Sequence, residues 1–359
     1  MLIMSQNYNR SQDTESIVLK TVNQLPSSDS LKTIYPISDI GKKNKQARDD
    51  QVANILAGKD SRLFIIIGPC SADYEDSILE YVLRLKRLQE DVKERVFLMP
   101  RVYTNKPRTS GIGYKGMLYY PDPKGSANIR QGLDKVRRMH VRILNETSFT
   151  CADELLYTNS YSYLSDLISY VAVGARTVES QEHRLFASSL AIPVGMKNPQ
   201  GGNLTAMLNS VEAAQRPHKF IFQGCEVESN GNIYTHAVLR GCLDRKNRMI
   251  SNYQYHHLKK FCEEYQNRNL KNMAIIVDAS HANSGKDYSR QPEVCLDVLH
   301  SRKRNNAIKS MIKGFMIESY LQDGSQEVEG SDYGKSITDP CLGWDKSREL
   351  VLRIADLWQ

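Results

Sequence analysis

The chain has 359 residues, 40% of them hydrophobic and 25% charged, with a formal net charge of +7. Those proportions belong to a globular protein in water; no apolar run approaches the ~20 residues of a membrane-spanning helix, and Met1-Leu2-Ile3-Met4 before Ser5 lacks the apolar core of a signal peptide, so a cytoplasmic address and no membrane contact are expected. The one dense basic run, residues 300–304, reads as a solvated helix end, so nucleic acid is not the expected partner and the positive excess points to small anions.

In chain order, residues 1–40 are rich in Ser, Asn, Asp and Gln and read as an extension ordered by a partner subunit. Residues 43–57 have the spacing of a helix, with Val52, Ile55 and Leu56 on one face and Gly58 as its stop. Residues 1–60 are therefore expected to be an N-terminal extension with one helix, serving oligomer contact or regulation, and residues 61–359 a single folded unit.

That unit alternates. Apolar runs at 63–67, 96–103, 149–152, 170–175, 192–196, 219–222, 273–277 and 314–317 have the length and branching of buried strands. Helical spacing fills most gaps, at 74–88, 130–144, 181–190, 204–214, 253–265, 293–300 and 346–358, with a short helix closing at 163–168. Asn230-Gly231 between 225–229 and 233–239 is a strong hairpin signal. The expectation is an α/β chain folded as a (β/α)8 TIM barrel, with the N-terminal extension and an inserted β-hairpin after strand six. The long glycine-bearing loop after 103, carrying Lys106 and Arg108, is expected to be functional.

In such barrels the chemistry sits at the C-terminal ends of the strands. Cys70, just past the first strand, reads on its own equally well as a small buried hydrophobe. Later strand ends add His281, Glu318 and Asp339, and the four together form a mixed thiolate, imidazole and carboxylate set suited to a divalent transition metal. Asp278, Ser280 and Asn283 stand beside the imidazole as groups that could orient it. A second set, Arg101, Lys106, Arg108, Arg176, Lys197 and Arg240, repels itself unless anions are bound, with Glu154 as an acid among them. The seven cysteines, at 70, 151, 225, 242, 262, 295 and 341, contain no Cys-x-x-Cys pair and read as reduced thiols.

Gly68-Pro69-Cys70-Ser71, Arg101-Val102-Tyr103 with Lys106-Pro107-Arg108-Thr109, Gly174-Ala175-Arg176-Thr177, Pro193-Val194-Gly195-Met196-Lys197-Asn198, Leu239-Arg240-Gly241, Ser280-His281-Ala282-Asn283-Ser284 and Gly334-Lys335-Ser336-Ile337-Thr338-Asp339 follow one another in an order that resembles the class I 3-deoxy-D-arabino-heptulosonate 7-phosphate (DAHP) synthases, from about residue 45 onward. The resemblance implies condensation of phosphoenolpyruvate with erythrose 4-phosphate, the first step of the shikimate pathway to aromatic amino acids. It implies one divalent metal ion (Mn, Fe, Co or Zn) on Cys70, His281, Glu318 and Asp339. It implies phosphoenolpyruvate on Arg101, Lys106, Glu154, Ala175, Arg176, Lys197 and Arg240, and erythrose 4-phosphate on Lys106, Pro107, Arg108, Thr109 and Asp339. Lys106, His281 and a metal-linked water are the candidates for activating the attacking water. A homodimer or homotetramer and feedback inhibition by an aromatic amino acid are further expectations.

Two departures from the family pattern stand out, Tyr119-Tyr120-Pro121-Asp122-Pro123 and Cys225. Arabinose 5-phosphate as the sugar, a Schiff-base aldolase using Lys197, and a non-catalytic amino acid sensor are the competing readings; all four implied metal ligands are nevertheless present.

Overall fold

A computed structural model describes residues 19–358; the part of the extension expected over residues 1–18 lies outside them. Strand β1, Leu63–Gly68, is buried along its whole length, as a strand covered on both faces must be. It is joined by β2 Val96–Pro100, β3 Cys151–Glu154, β4 Ile168–Val173, β5 Val194–Lys197, β6 His236–Leu239, β7 Ile275–Asp278 and β8 Ile312–Glu318. All pairings among them are parallel. The ring closes between β2 and β3 at a bridge from Arg101 to Ala152, where the Val102 N–H donates to the Ala152 carbonyl at 2.9 Å. This is the expected (β/α)8 barrel.

Two helices, α1 Ser28–Ile34 and α2 Asp39–Leu56, precede the barrel, where one was expected. The helices α3 Glu75–Val92, α4 Ile129–Thr147, α5 Gln181–Ser188, α6 Leu204–Gln215, α7 Tyr255–Gln266, α8 Gln291–Arg304, α9 Asn306–Met311 and α10 Trp344–Leu357 follow, with a 3-10 turn at Thr158–Tyr163 between β3 and β4. Alternation along the strands divides the core in two. Residues such as Ile65, Ile67, Leu98 and Val171 pack outward against the helices. Phe64, Ile66, Phe97, Met99, Tyr170, Val238, Ile276 and Met316 fill the interior together with Val52, Ile55 and Leu56 of α2. The apolar face read from residues 43–57 therefore plugs the barrel floor, so α2 belongs to the barrel core.

The hairpin lies elsewhere than expected. Its strands are His218–Phe222 and Cys225–Ser229, paired antiparallel around Gln223-Gly224, so the run taken as strand six is the hairpin's first arm. The insertion precedes the sixth barrel strand. The physical reason is burial: 218–222 alternates between half-buried and exposed, whereas His236–Leu239 is wholly buried, as the barrel demands. Asn230-Gly231 instead turns the chain from hairpin to barrel. Gly231 has φ +81°, and a Cβ there would meet the Gln215 carbonyl at 2.4 Å. Cys225 is exposed in this hairpin.

Candidate active site

Parallel strands deliver their C-terminal residues to one mouth. Glu154, Lys197 and Glu318 are the last residues of β3, β5 and β8, while Arg101 and Arg240 come immediately after β2 and β6. Cys70, Arg176 and His281 follow β1, β4 and β7 by two or three residues. A cleft of about 710 Å³ at this mouth is lined by Arg101, Lys106, Pro107, Arg108, Glu154, Ala175, Arg176, Lys197, Arg240, His281 and Asp339. Cys70 and Glu318 lie buried beside it. Thr109 is exposed at the rim, outside the lining, where its hydroxyl accepts from Arg176 Nε at 2.9 Å. The Tyr119–Pro123 segment does not contribute to the lining.

One end of the cleft gathers metal-ligand chemistry. Donor atoms of Cys70, Glu318 and Asp339 all lie within 4.8 Å of one another, and His281 Nε2 is 3.9 Å from Glu318 Oε1. Burial and the Glu318 carboxylate push the Cys70 thiol up to about 11, so in the protein alone it holds its proton. Lys106 Nζ donates to Cys70 Sγ at 2.5 Å and to Asp339 Oδ2 at 3.2 Å. Lys286 Nζ reaches Asp339 Oδ1 at 3.1 Å. Burial alone would raise the Asp339 carboxyl, but these two ammonium groups outweigh it and hold it well below the usual carboxylate range. A buried thiol, an imidazole nitrogen and two carboxylates so close together fit a divalent cation, which would relieve their repulsion and take the thiolate.

His281 is prepared for that role. Its backbone has φ 54°, a left-handed conformation uncommon for a residue with a side chain. Nδ1 faces Asp278 Oδ2 at 2.9 Å and Ser280 Oγ at 2.8 Å. Burial lowers the pKa of the imidazole despite Asp278 and Glu318, favouring the neutral ring. The hydrogen-bond network places its proton on Nδ1, toward Asp278, and leaves the Nε2 lone pair for a cation. Asp278 Oδ2 also accepts from Lys197 Nζ at 3.0 Å, and Oδ1 accepts from Ser280 Oγ at 2.6 Å. Burial opposes ionisation of this fully enclosed carboxyl, yet His281 and Lys197 hold it well below its ordinary value.

The other end is built for anions. Arg101 donates to the Pro69 carbonyl and, at 3.1 Å, to Glu318 Oε1, and its guanidinium lies 3.6 Å from the Tyr103 ring centroid. Arg101 Nε and Arg240 Nη1 are buried without an acceptor among the described residues. Burial, reinforced by Arg176, lowers the Arg240 pKa. Buried donors without partners are costly, and a bound carboxylate or phosphate would satisfy them. Glu154 reaches the cleft across a glycine, since a Cβ at Gly174 would lie 2.2 Å from Glu154 Oε1.

Sequence reasoning missed Lys286, Gln200 and Tyr103, all of which line the cleft. Lys286 lies on the same strand-end loop as His281, a signal that was available. Cys341 was also missed; its Sγ accepts from the Cys70 backbone N–H at 3.4 Å, and nothing in the spacing of residues 70 and 341 reveals it.

The fold and site define a class: a (β/α)8 barrel whose mouth joins a thiol, imidazole and carboxylate cluster to a cage of cations. Residues 39–352 match the DAHP synthetase I family. The chain is 36% identical over 350 residues to the Tyr-sensitive phospho-2-dehydro-3-deoxyheptonate aldolase of Salmonella typhimurium, covering 95% of this chain and 93% of that protein. It is 37% identical over 313 residues to the Trp-sensitive enzyme of Escherichia coli, covering 85% of this chain and 86% of the relative. The solved structure of a phospho-2-dehydro-3-deoxyheptonate aldolase from Francisella tularensis superposes with a TM-score of 0.88 at 30% identity, covering 95% of this chain and 99% of that one. The chain belongs to the DAHP synthetase I family.

Proposed function

We propose that this chain condenses phosphoenolpyruvate with erythrose 4-phosphate and water, releasing DAHP and phosphate, as the first step of the shikimate pathway to aromatic amino acids. The observation that carries this reading is one cleft with buried arginine donors that lack an acceptor among the described residues at one end and, at the other, the Cys70, Glu318 and Asp339 donors with His281 3.9 Å from Glu318. Cys70, His281, Glu318 and Asp339 would hold one divalent ion of Mn, Fe, Co or Zn. When bound, that ion supplies Lewis-acid polarisation of the sugar aldehyde.

The remaining steps belong to the chain's own residues. Arg101, Lys106, Arg176, Lys197 and Arg240, with Glu154 and Ala175 beside them, hold phosphoenolpyruvate so that its methylene carbon faces the aldehyde, replacing a chance encounter with an oriented one. Pro107, Arg108 and Thr109, with Lys106 and Asp339, hold erythrose 4-phosphate. Formation of the carbon–carbon bond leaves cationic character on the carbon bearing the phosphate ester. Water adds there, and collapse of the hemiketal phosphate expels phosphate. Of the two side chains considered for moving the proton of that water, Lys106 takes the role, because His281 has Nδ1 bonded to Asp278 and Nε2 left for the ion.

The sensitivity named for the relatives supports feedback inhibition by an aromatic amino acid. Exposed Leu19, Val22, Leu25, Ile34 and Ile40 in the N-terminal extension support its use as a subunit contact in a homodimer or homotetramer. No described helix is long and apolar enough to cross a membrane, in keeping with a cytoplasmic reaction. Replacing Cys70 with Ala tests the metal assignment: metal-dependent turnover should disappear while far-UV circular dichroism is unchanged. Full activity in Cys70→Ala would overturn it.

A further inference from the structure

The far end of the barrel carries a second group of cations that the proposed reaction does not use. A cleft of about 970 Å³ opens there between α2, the end of α3, the start of β2 and the turn after α4. Arg48, Arg62, Lys86 and Lys93 face it, with Glu90 as its one acidic lining residue. Arg62 is paired with Asp60, and Lys93 with Glu90. Among the described residues Lys86 bonds only a carbonyl, that of Glu146, at 3.1 Å.

Arg48 is the unusual member. It is 8% exposed, and its guanidinium lies 4.3 Å from the Phe97 ring centroid and 4.4 Å from that of Phe149. Nη2 donates to the Leu98 carbonyl at 2.6 Å and Nε to Thr150 Oγ1 at 3.3 Å. Nη1 has no acceptor among the described residues. The adjacent acid, Asp49, is bonded to Lys45 instead. Burial lowers the Arg48 pKa to about 9, which still leaves it cationic at neutral pH. A buried cation is ordinarily matched by an anion; here the described residues bond Arg48 only through neutral acceptors and two aromatic rings, and Asp49 acts on it from a distance without a bond.

We infer that this cleft is a second anion site, remote from the active site, in which Arg48 and Lys86 take the carboxylate or phosphate group of a small metabolite. A guanidinium held against two rings and by two hydrogen bonds is preorganised for oxyanion recognition, and the lysine at the rim adds a mobile point charge. Arg48 lies on α2, one turn before the residues that plug the barrel floor, so occupancy ties that helix more firmly to the barrel.

The test is calorimetric titration of the full chain with inorganic phosphate and, separately, citrate, at constant ionic strength, in wild type and in Lys86→Glu, since anion held at the active-site mouth is the same in both. The expected result is a saturable site for at least one anion, accompanied by a rise in Tm, and the preferred anion tells a phosphate ester from a polycarboxylate. Lys86→Glu should weaken that site by about tenfold or more while leaving turnover unchanged. Arg48→Gln should abolish it, and if that variant does not fold, the exposed Lys86→Glu change still decides the matter. Equal affinity in wild type and Lys86→Glu, or no saturable binding of either anion, would each overturn the inference.

Discussion

Asp278 is the residue on which the two halves of the active site meet. One oxygen of this wholly buried carboxylate contacts both Lys197, assigned to phosphoenolpyruvate, and His281, assigned to the metal. Asp278→Asn keeps the shape and removes the charge, so it should weaken metal affinity about 10- to 100-fold and raise the KM for phosphoenolpyruvate as well. Metal binding by calorimetry and KM by initial rates check both effects; a change in only one would separate the halves. His236 gives a pH dependence. It is fully buried, bonded through Nδ1 to the Tyr234 carbonyl and through Nε2 to the Tyr170 hydroxyl, and burial lowers its pKa to about 4. The folded state therefore prefers the neutral ring, and its contribution is present above the unfolded value of about 6.5 and lost as pH falls toward 4. A shift of that size is worth about 3 kcal/mol. Wild type should lose about that much more stability than His236→Gln between pH 6.5 and 4 in urea titrations; parallel pH curves would contradict the assignment. Most cleft residues were legible because each lies at the end of a buried strand or within three residues of it. The Asp278 bridge was only half legible, since its link to His281 is local while its link to Lys197 spans the barrel.

At the level of elements, helix α2 shows how much periodicity can and cannot tell. Its apolar face was readable, but its place in the barrel interior was not, because nothing in a helix pattern states which cavity the face will fill. Ile55→Ala should cost about 2–5 kcal/mol in denaturant unfolding, as a core truncation does; a cost below about 0.5 kcal/mol, the range of a surface substitution, would place the helix outside the core. The misplaced hairpin has a different cause. The run at 219–222 carries two aromatics and an isoleucine, enough for a strand, but its basic first residue and half-exposed pattern belong to a two-stranded arm. The true sixth strand, His236–Leu239, lies inside the run 233–239 that the Asn230-Gly231 signal marked as the hairpin's second arm. The short helix α1 is anchored by chemistry with no local signal at all. Arg137, fully enclosed in α4, donates to the Tyr35 carbonyl at 3.1 Å while its fork pairs with Asp166 at 2.8 and 2.9 Å.

Across the whole molecule, the barrel separates its two ends by function. Parallel strands send the reactive side chains to one mouth, and α2 closes the other, so changes in α2 or the lower cleft can alter stability without touching the chemistry. The family relationship spans nearly the whole barrel, and the mouth brings the thiol and two carboxylates, with His281 beside Glu318, together with buried arginine donors that lack an acceptor among the described residues. The most direct test is the loss of phosphoenolpyruvate on mixing purified protein with erythrose 4-phosphate and Mn²⁺, repeated after EDTA, after metal is restored, and with arabinose 5-phosphate as the sugar. Consumption with erythrose 4-phosphate alone, stopped by EDTA and recovered with metal, is the predicted result. Consumption of neither sugar by folded, metal-loaded protein, or equal consumption after EDTA, would contradict the account.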